Sequence, residues 1–151
     1  MRRAKPFALL LMLLTVLALA ACGSGSDSGD GGGGGGGDAD PTAGLDAVPD
    51  SDYEDLTGEA QVTIDARDNT FEPQYVTVSP GTKVEFDNVG RNPHNAIPVV
   101  KGAFDDVPTD ELQPGDAVVR VFDEPGEYPY YCSLHGTKNK GMTGRIRVAD
   151  Q

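Results

Sequence analysis

From about Gln61 onward, apolar residues recur at every second position in short runs. Val62-Thr63-Ile64-Asp65-Ala66 alternates, and Tyr75-Val76-Thr77-Val78 does so again before the turn signal Ser79-Pro80-Gly81. Thr82–Phe86 follows with Val84 and Phe86 on one face, and Ala117–Phe122 is entered through Gln113-Pro114-Gly115-Asp116. Glu124-Pro125-Gly126 turns the chain into Glu127–Tyr131, and Thr143–Val148 places Ile146 and Val148 on one face. A period of two predicts half-buried strands, and many short strands between Gly/Pro turns predict an all-β sandwich or small barrel. Phe71, Phe86 and Phe122 are the expected core aromatics. Tyr128, Tyr130 and Tyr131 follow the strand period and are expected to pack or to lie at the surface, not to relay electrons.

The first sixty residues follow another pattern. Arg2, Arg3 and Lys5 precede an apolar run from Phe7 to Ala21, which ends in small residues before Cys22. A charged start, an apolar middle and a small-residue end predict an export signal over residues 1–21. The run is too short for a comfortable membrane span. Leu19-Ala20-Ala21-Cys22 resembles the bacterial lipobox, which implies cleavage before Cys22 and lipidation of its sulfur. General secretion is favoured over twin-arginine export, because only the arginine pair of that second signal is present. Residues 22–60 hold seven consecutive glycines (Gly31–Gly37), ten acidic residues and no basic ones. Such a segment buries too little apolar surface to offset its ordering entropy. It is expected to be a flexible tether with a typical span of roughly 30–37 Å. The folded domain is then 61–151, about 90 residues, a size at which a bound metal matters to stability.

Charge narrows the partners. Without the three basic residues of the signal, nine basic residues face 24 acidic ones. That balance disfavours nucleic acid and anionic membrane surfaces and suits a basic protein partner. Asp105, Asp106, Asp110 and Glu111 form either a docking patch for such a partner or a solvated acidic loop.

The chemistry sits in Tyr130-Tyr131-Cys132-Ser133-Leu134-His135-Gly136-Thr137-Lys138-Asn139-Lys140-Gly141-Met142. The chain has two cysteines and two histidines. If Cys22 is lipidated, Cys132 is an unpaired thiol in an oxidising compartment, and metal ligation is one stable use for it. His94, in Asn92-Pro93-His94-Asn95, supplies the second imidazole from 38 residues upstream. Two imidazoles, a thiolate and a thioether form a His₂Cys set with a weak axial Met, the ligand set of a blue-copper electron-transfer site. No second cysteine lies near Cys132, so a dinuclear thiolate-bridged centre is excluded. C-x-x-C-H haem attachment and C-x-x-C dithiol exchange are excluded as well.

Together these residues resemble the cupredoxins, most closely the plastocyanin, amicyanin and halocyanin group. The resemblance runs through Asn69-Thr70-Phe71-Glu72-Pro73, Val76–Phe86, Pro93-His94-Asn95, Gly126–His135 and Gly141-Met142-Thr143-Gly144. It implies a Greek-key β-sandwich of seven or eight strands and one type 1 copper ion. His94, Cys132 and His135 would be equatorial ligands and Met142 axial. Asn95 would tie the two ligand loops together and hydrogen-bond the thiolate. One departure stands out. Short loops of the family place Met three to five residues after His, whereas Met142 is seven after His135, and Thr137–Lys140 looks like an insertion.

The expected function is one-electron transfer between redox proteins, without substrate turnover, by a monomer held to the outer face of the cytoplasmic membrane through Cys22. The solvent edge of His135, beside Leu134 and Pro93, would be the electron exit. The alternative is a module that stores or delivers Cu(I) without cycling it.

Overall fold

A computed structural model describes residues 40–150. The export signal, the lipobox with Cys22 and residues 23–39 of the tether lie outside the described residues.

The elements are a 3-10 turn at Asp50–Asp52 and nine strands. The strands are β1 (Glu54–Asp55), β2 (Gln61–Arg67), β3 (Thr70–Glu72), β4 (Tyr75–Val78), β5 (Thr82–Asp87), β6 (Ile97–Pro98), β7 (Ala117–Phe122), β8 (Gly126–Thr137) and β9 (Lys140–Val148). They form a five-stranded sheet in the order β1-β4-β9-β8-β6 and a four-stranded sheet in the order β3-β2-β5-β7. β2 runs parallel to β5 and β4 parallel to β9, while β5–β7 and β8–β9 are antiparallel. This is the expected all-β Greek-key sandwich.

The alternation read from the sequence is the alternation of burial. In β2, Val62, Ile64 and Ala66 are buried and the residues between them face outward. Val84 and Phe86 of β5 come from one sheet, and Val76, Val78, Ile146 and Val148 from the other, to form a single core. Phe71 and Phe86 meet Tyr130 edge-on, with ring centroids 4.9 and 5.3 Å away. Such edge-to-face contacts suit the ring quadrupoles. Tyr130 therefore belongs to the core, yet its hydroxyl has no hydrogen-bond partner. Its ring lies against Gly144, its partner across β8 and β9.

Two strands run longer than the sequence suggests. β8 and β9 continue past the expected Tyr131 and Thr143, pairing Gly136 with Gly141 and Thr137 with Lys140. The proposed insertion is thus a hairpin tip that turns over Lys138-Asn139.

The tether boundary also moves. Residues 40–60 do not hang free: as far as Leu56 they pack on the five-stranded sheet as a strap, and the carbonyls of Glu59 and Ala60 accept from Thr82 and Lys83 of β5. β1 adds to β4 in parallel, and Leu56 packs against the core. Arg145 donates to the Asp46 carbonyl, and Asn139 donates to the Gly44 carbonyl. Arg147 pairs with Asp50 and Glu127, and its guanidinium carbon stands 3.9 Å from the centre of the Tyr53 ring. Tyr53 in turn donates to Glu127. Composition alone argued for disorder because the strap has little apolar surface. Its order comes from fixed partners on β4, β8 and β9 and at the hairpin turn, with Arg145 and Arg147 of β9 supplying the cationic ones.

Candidate metal centre

The candidate ligands come from three pieces of backbone, the loop after β5, β8 and β9. His94 follows β5 in the loop 88–96. Its N–H donates to the Leu112 carbonyl at 3.1 Å, and its side chain is fully buried. Asn88 shapes that loop. Its buried amide donates to the carbonyls of Asn92 and Leu112, both at 2.9 Å, and its oxygen accepts from Gly90 N–H. An asparagine at a strand end, two residues before a glycine, is an Asx-turn signal, and Asn88 carries that signal in the sequence.

Cys132 and His135 lie in β8, where the ladder is interrupted. Tyr131 pairs with Thr143 and Gly136 with Gly141, so the four residues 132–135 stand opposite the single residue Met142. The bulge re-aims side chains that regular pleating would send to alternate faces. The hairpin returns Met142 to this position whatever the length of its tip, and Met142 is buried. The closure needs the two glycines. A Cβ on Gly141, whose φ is +84°, would stand 2.6 Å from the His135 carbonyl oxygen, and one on Gly136 would stand 2.7 Å from Met142 N.

The ligand atoms of His94, Cys132 and His135 all lie within 4.8 Å of one another. Cys132 Sγ is 3.8 Å from His94 Nδ1 and 3.5 Å from His135 Nδ1. Metal–imidazole and metal–thiolate bonds of about 2.0–2.3 Å, at tetrahedral to trigonal angles, separate nitrogen from sulfur by about 3.5–3.8 Å. Both sulfur–nitrogen distances are therefore those that a shared ion would set. Burial, and then the neighbouring His135, hold the His94 imidazole below its ordinary pKa. The ring is kept neutral, with a lone pair free for a metal. His94 Nε2 has no hydrogen-bond partner. The residues therefore fit one copper ion.

Asn95 joins the two ligand segments. Its amide donates to Ser133 Oγ at 2.9 Å and to Thr109 Oγ1 at 3.0 Å, while its oxygen accepts from Ser133 N–H at 2.8 Å. The side chain thus reaches the residue next to Cys132. Both ends of the side-chain amide are engaged by Ser133 and Thr109, so the side chain makes the tie between the loops. Ser133 and Thr109 complete the tie, and no local spacing in the sequence marks them for it. Leu134, next to half-buried His135, is 52% exposed.

Comparison with known proteins agrees with this geometry. The family model for copper binding proteins of the plastocyanin/azurin family matches residues 58–149. The chloroplastic plastocyanin of Tetradesmus obliquus is 35% identical over 85 residues, covering 52% of this chain and 57% of that protein. The plastocyanin of Prochlorothrix hollandica is 33% identical over 89 residues, 52% of this chain and 62% of that one. The chain thus spans less than two thirds of the length of these two relatives. For the plastocyanin of Solanum crispum the figures are 32% over 87 residues, 52% and 86%. A reduced amicyanin variant shares the fold with a TM-score of 0.52 at 24% identity, covering 61% of this chain and 85% of that one. The matched residues are those that build the two sheets and bring the buried thiolate between two imidazoles, and the chain belongs to the plastocyanin/azurin family of copper-binding proteins, with copper as its cofactor.

Proposed function

We propose that this chain is a one-electron carrier, not an enzyme, in which His94, Cys132 and His135 hold a single type 1 copper ion and Met142 lies on its axial side. The observation that carries the reading is the mutual approach of three ligand atoms within 4.8 Å in a site whose thiolate and His94 are fully buried. Copper in such a site supplies a Cu(II)/Cu(I) couple. The chain's own residues do the rest. Two separate backbone segments, tied by Asn95, hold the ligands in one arrangement, so little reorganisation accompanies a change of charge. Burial of Cys132 excludes water and protects the thiolate from oxidation. His135, less buried than the other two, is the route by which an electron reaches a partner, and exposed Leu134 offers that partner an apolar contact.

The alternative of Cu(I) storage or delivery is less well supported. Delivery proceeds by ligand exchange at an accessible thiolate, and Cys132 has no exposed surface. The acidic surface suits a basic redox partner. The amino-terminal pattern supports export as a lipoprotein anchored through Cys22, and a monomer suffices for the role.

The test is the visible spectrum of the protein with one equivalent of Cu(II), before and after ascorbate. An intense blue or green band that bleaches and returns on reoxidation is expected. Absence of a band in the folded protein would sink the electron-transfer reading.

A further inference from the structure

Met142 is reached through a hairpin whose tip projects beyond the ligands. The pairs Gly136–Gly141 and Thr137–Lys140 form the hairpin, and Lys138 and Asn139 make its turn. A projecting two-residue turn on a single pair of strands is marginal by itself. Here the tip is gripped by two segments distant in sequence. Lys138 Nζ donates to the Val99 carbonyl at 3.0 Å, in the chain leaving β6. Asn139 Nδ2 donates to the Gly44 carbonyl at 3.1 Å, in the strap. The strap is itself fastened to β9 by Arg145 at Asp46 and by Arg147 at Asp50. Neither side chain touches a candidate ligand. The close backbone contact of Gly141 with His135 and of Gly136 with Met142 links the tip to both.

We infer that Lys138 and Asn139 are positioning residues for the copper site, clamping the lengthened His135–Met142 loop so that Met142 keeps its place beside the other three ligands. The inference rests on the reading of Met142 as the axial ligand. It assigns a role to the residues that set this loop apart from shorter ones, and makes the strap, whose residues 40–57 lie outside the span matched to the family, part of the metal site's support. Closed tip and fixed strap hold the hairpin in one register. Without them, the turn frays and Met142 samples several distances from the thiolate.

The test uses the full chain carrying Lys138→Ala and Asn139→Ala together, with Lys138→Arg as the conservative variant and Met142→Gln as the control. Three quantities are read, namely the reduction potential, the ratio of the two visible charge-transfer bands, and amide exchange at Gly141 and Met142 in the copper-free protein. The double variant should shift the potential and the band ratio, and should speed exchange at both amides by about tenfold or more. Lys138→Arg should retain the native values on the Asn139 background of the wild type. An unchanged potential and band ratio in the double variant, while Met142→Gln alters both, overturns the clamp but leaves the axial assignment standing. Faster exchange with an unchanged spectrum likewise overturns it, since the clamp would then be structural only. If Met142→Gln changes neither potential nor spectrum, the axial reading fails and the clamp with it.

Discussion

Asn95 and Ser133 exchange two hydrogen bonds across 38 positions of sequence, one through each end of the Asn95 amide. Each residue is the immediate neighbour of a copper-ligand candidate, so the pair fixes the distance between the loop of His94 and the bulge of Cys132. Asn95→Ala should leave Ser133 N–H without its partner and destabilise the copper-free fold by about 1–3 kcal/mol. Denaturant titration of the copper-free protein measures the cost, and a midpoint unchanged from wild type would show that the tie is incidental. The same variant should also shift the reduction potential, because partners of this kind orient the ligands.

Tyr130 presents the opposite case, a buried polar atom with nothing to bond. Removing the hydroxyl while keeping the ring relieves an unsatisfied group, so Tyr130→Phe should stabilise the protein by roughly 1 kcal/mol. A lower melting temperature would show that the hydroxyl has a partner, such as an ordered water. Gly144→Ala should do the reverse, because its Cβ would fall 2.4 Å from the Tyr130 ring and hydroxyl. Overpacking of this kind costs typically 1–3 kcal/mol or more, read in the same melting experiment.

Gly141 links backbone conformation to ligand placement. Its positive φ and its contact with the His135 carbonyl leave no room for a side chain. Gly141→Ala should perturb the charge-transfer band and weaken copper retention, measured by competition with a chelator. An unaltered band with unaltered retention would mean that the hairpin relaxes without moving its ligands.

The strap should respond to alkaline pH. Burial, followed by the charge and hydrogen bond of Glu127, raises the Tyr53 phenol above its ordinary value near 10. A folded pKa above the unfolded one means that the phenol's contribution is fully present below pH 10 and is lost as pH rises through the folded value. Limited proteolysis between residues 40 and 60 should therefore accelerate above pH 10 in the wild type. Tyr53→Phe lacks the titrating group, and its cleavage should depend less on pH in that range. Equal pH dependence in both proteins would remove Tyr53 from the account.

Copper should stabilise the fold by mass action, by about 4 kcal/mol when free copper stands a thousandfold above its dissociation constant. Cys132→Ser should abolish both the visible band and this stabilisation. Leu134→Asp should leave both intact and slow electron exchange with a protein partner, as measured by stopped-flow. A rate equal to wild type would remove Leu134 from the docking surface.

What could be read from the chain alone was whatever local spacing dictates. Alternation at Val62–Ala66 or Tyr75–Val78 specifies a strand because side chains on a pleated backbone point to opposite faces, and only one face can enter the core. Cys132, His135 and Met142 announced themselves because few chemistries need a thiolate, an imidazole and a thioether so close together. His94 joined them by residue type, but its meeting with Cys132 is the work of β5, the loop braced by Asn88, and the Asn95–Ser133 tie. The tertiary structure alone decided where the tether ends, since the strap is ordered by contacts of Asp50 with Arg147 of β9, Tyr53 with Glu127 of β8 and Gly44 with Asn139 of the hairpin turn, 74–97 positions away. It also decided that the extra loop residues form a paired tip and that Tyr130 turns inward with its hydroxyl unmet. Periodicity reports the environment of one residue relative to its near neighbours, whereas these features depend on which distant segment packs against it.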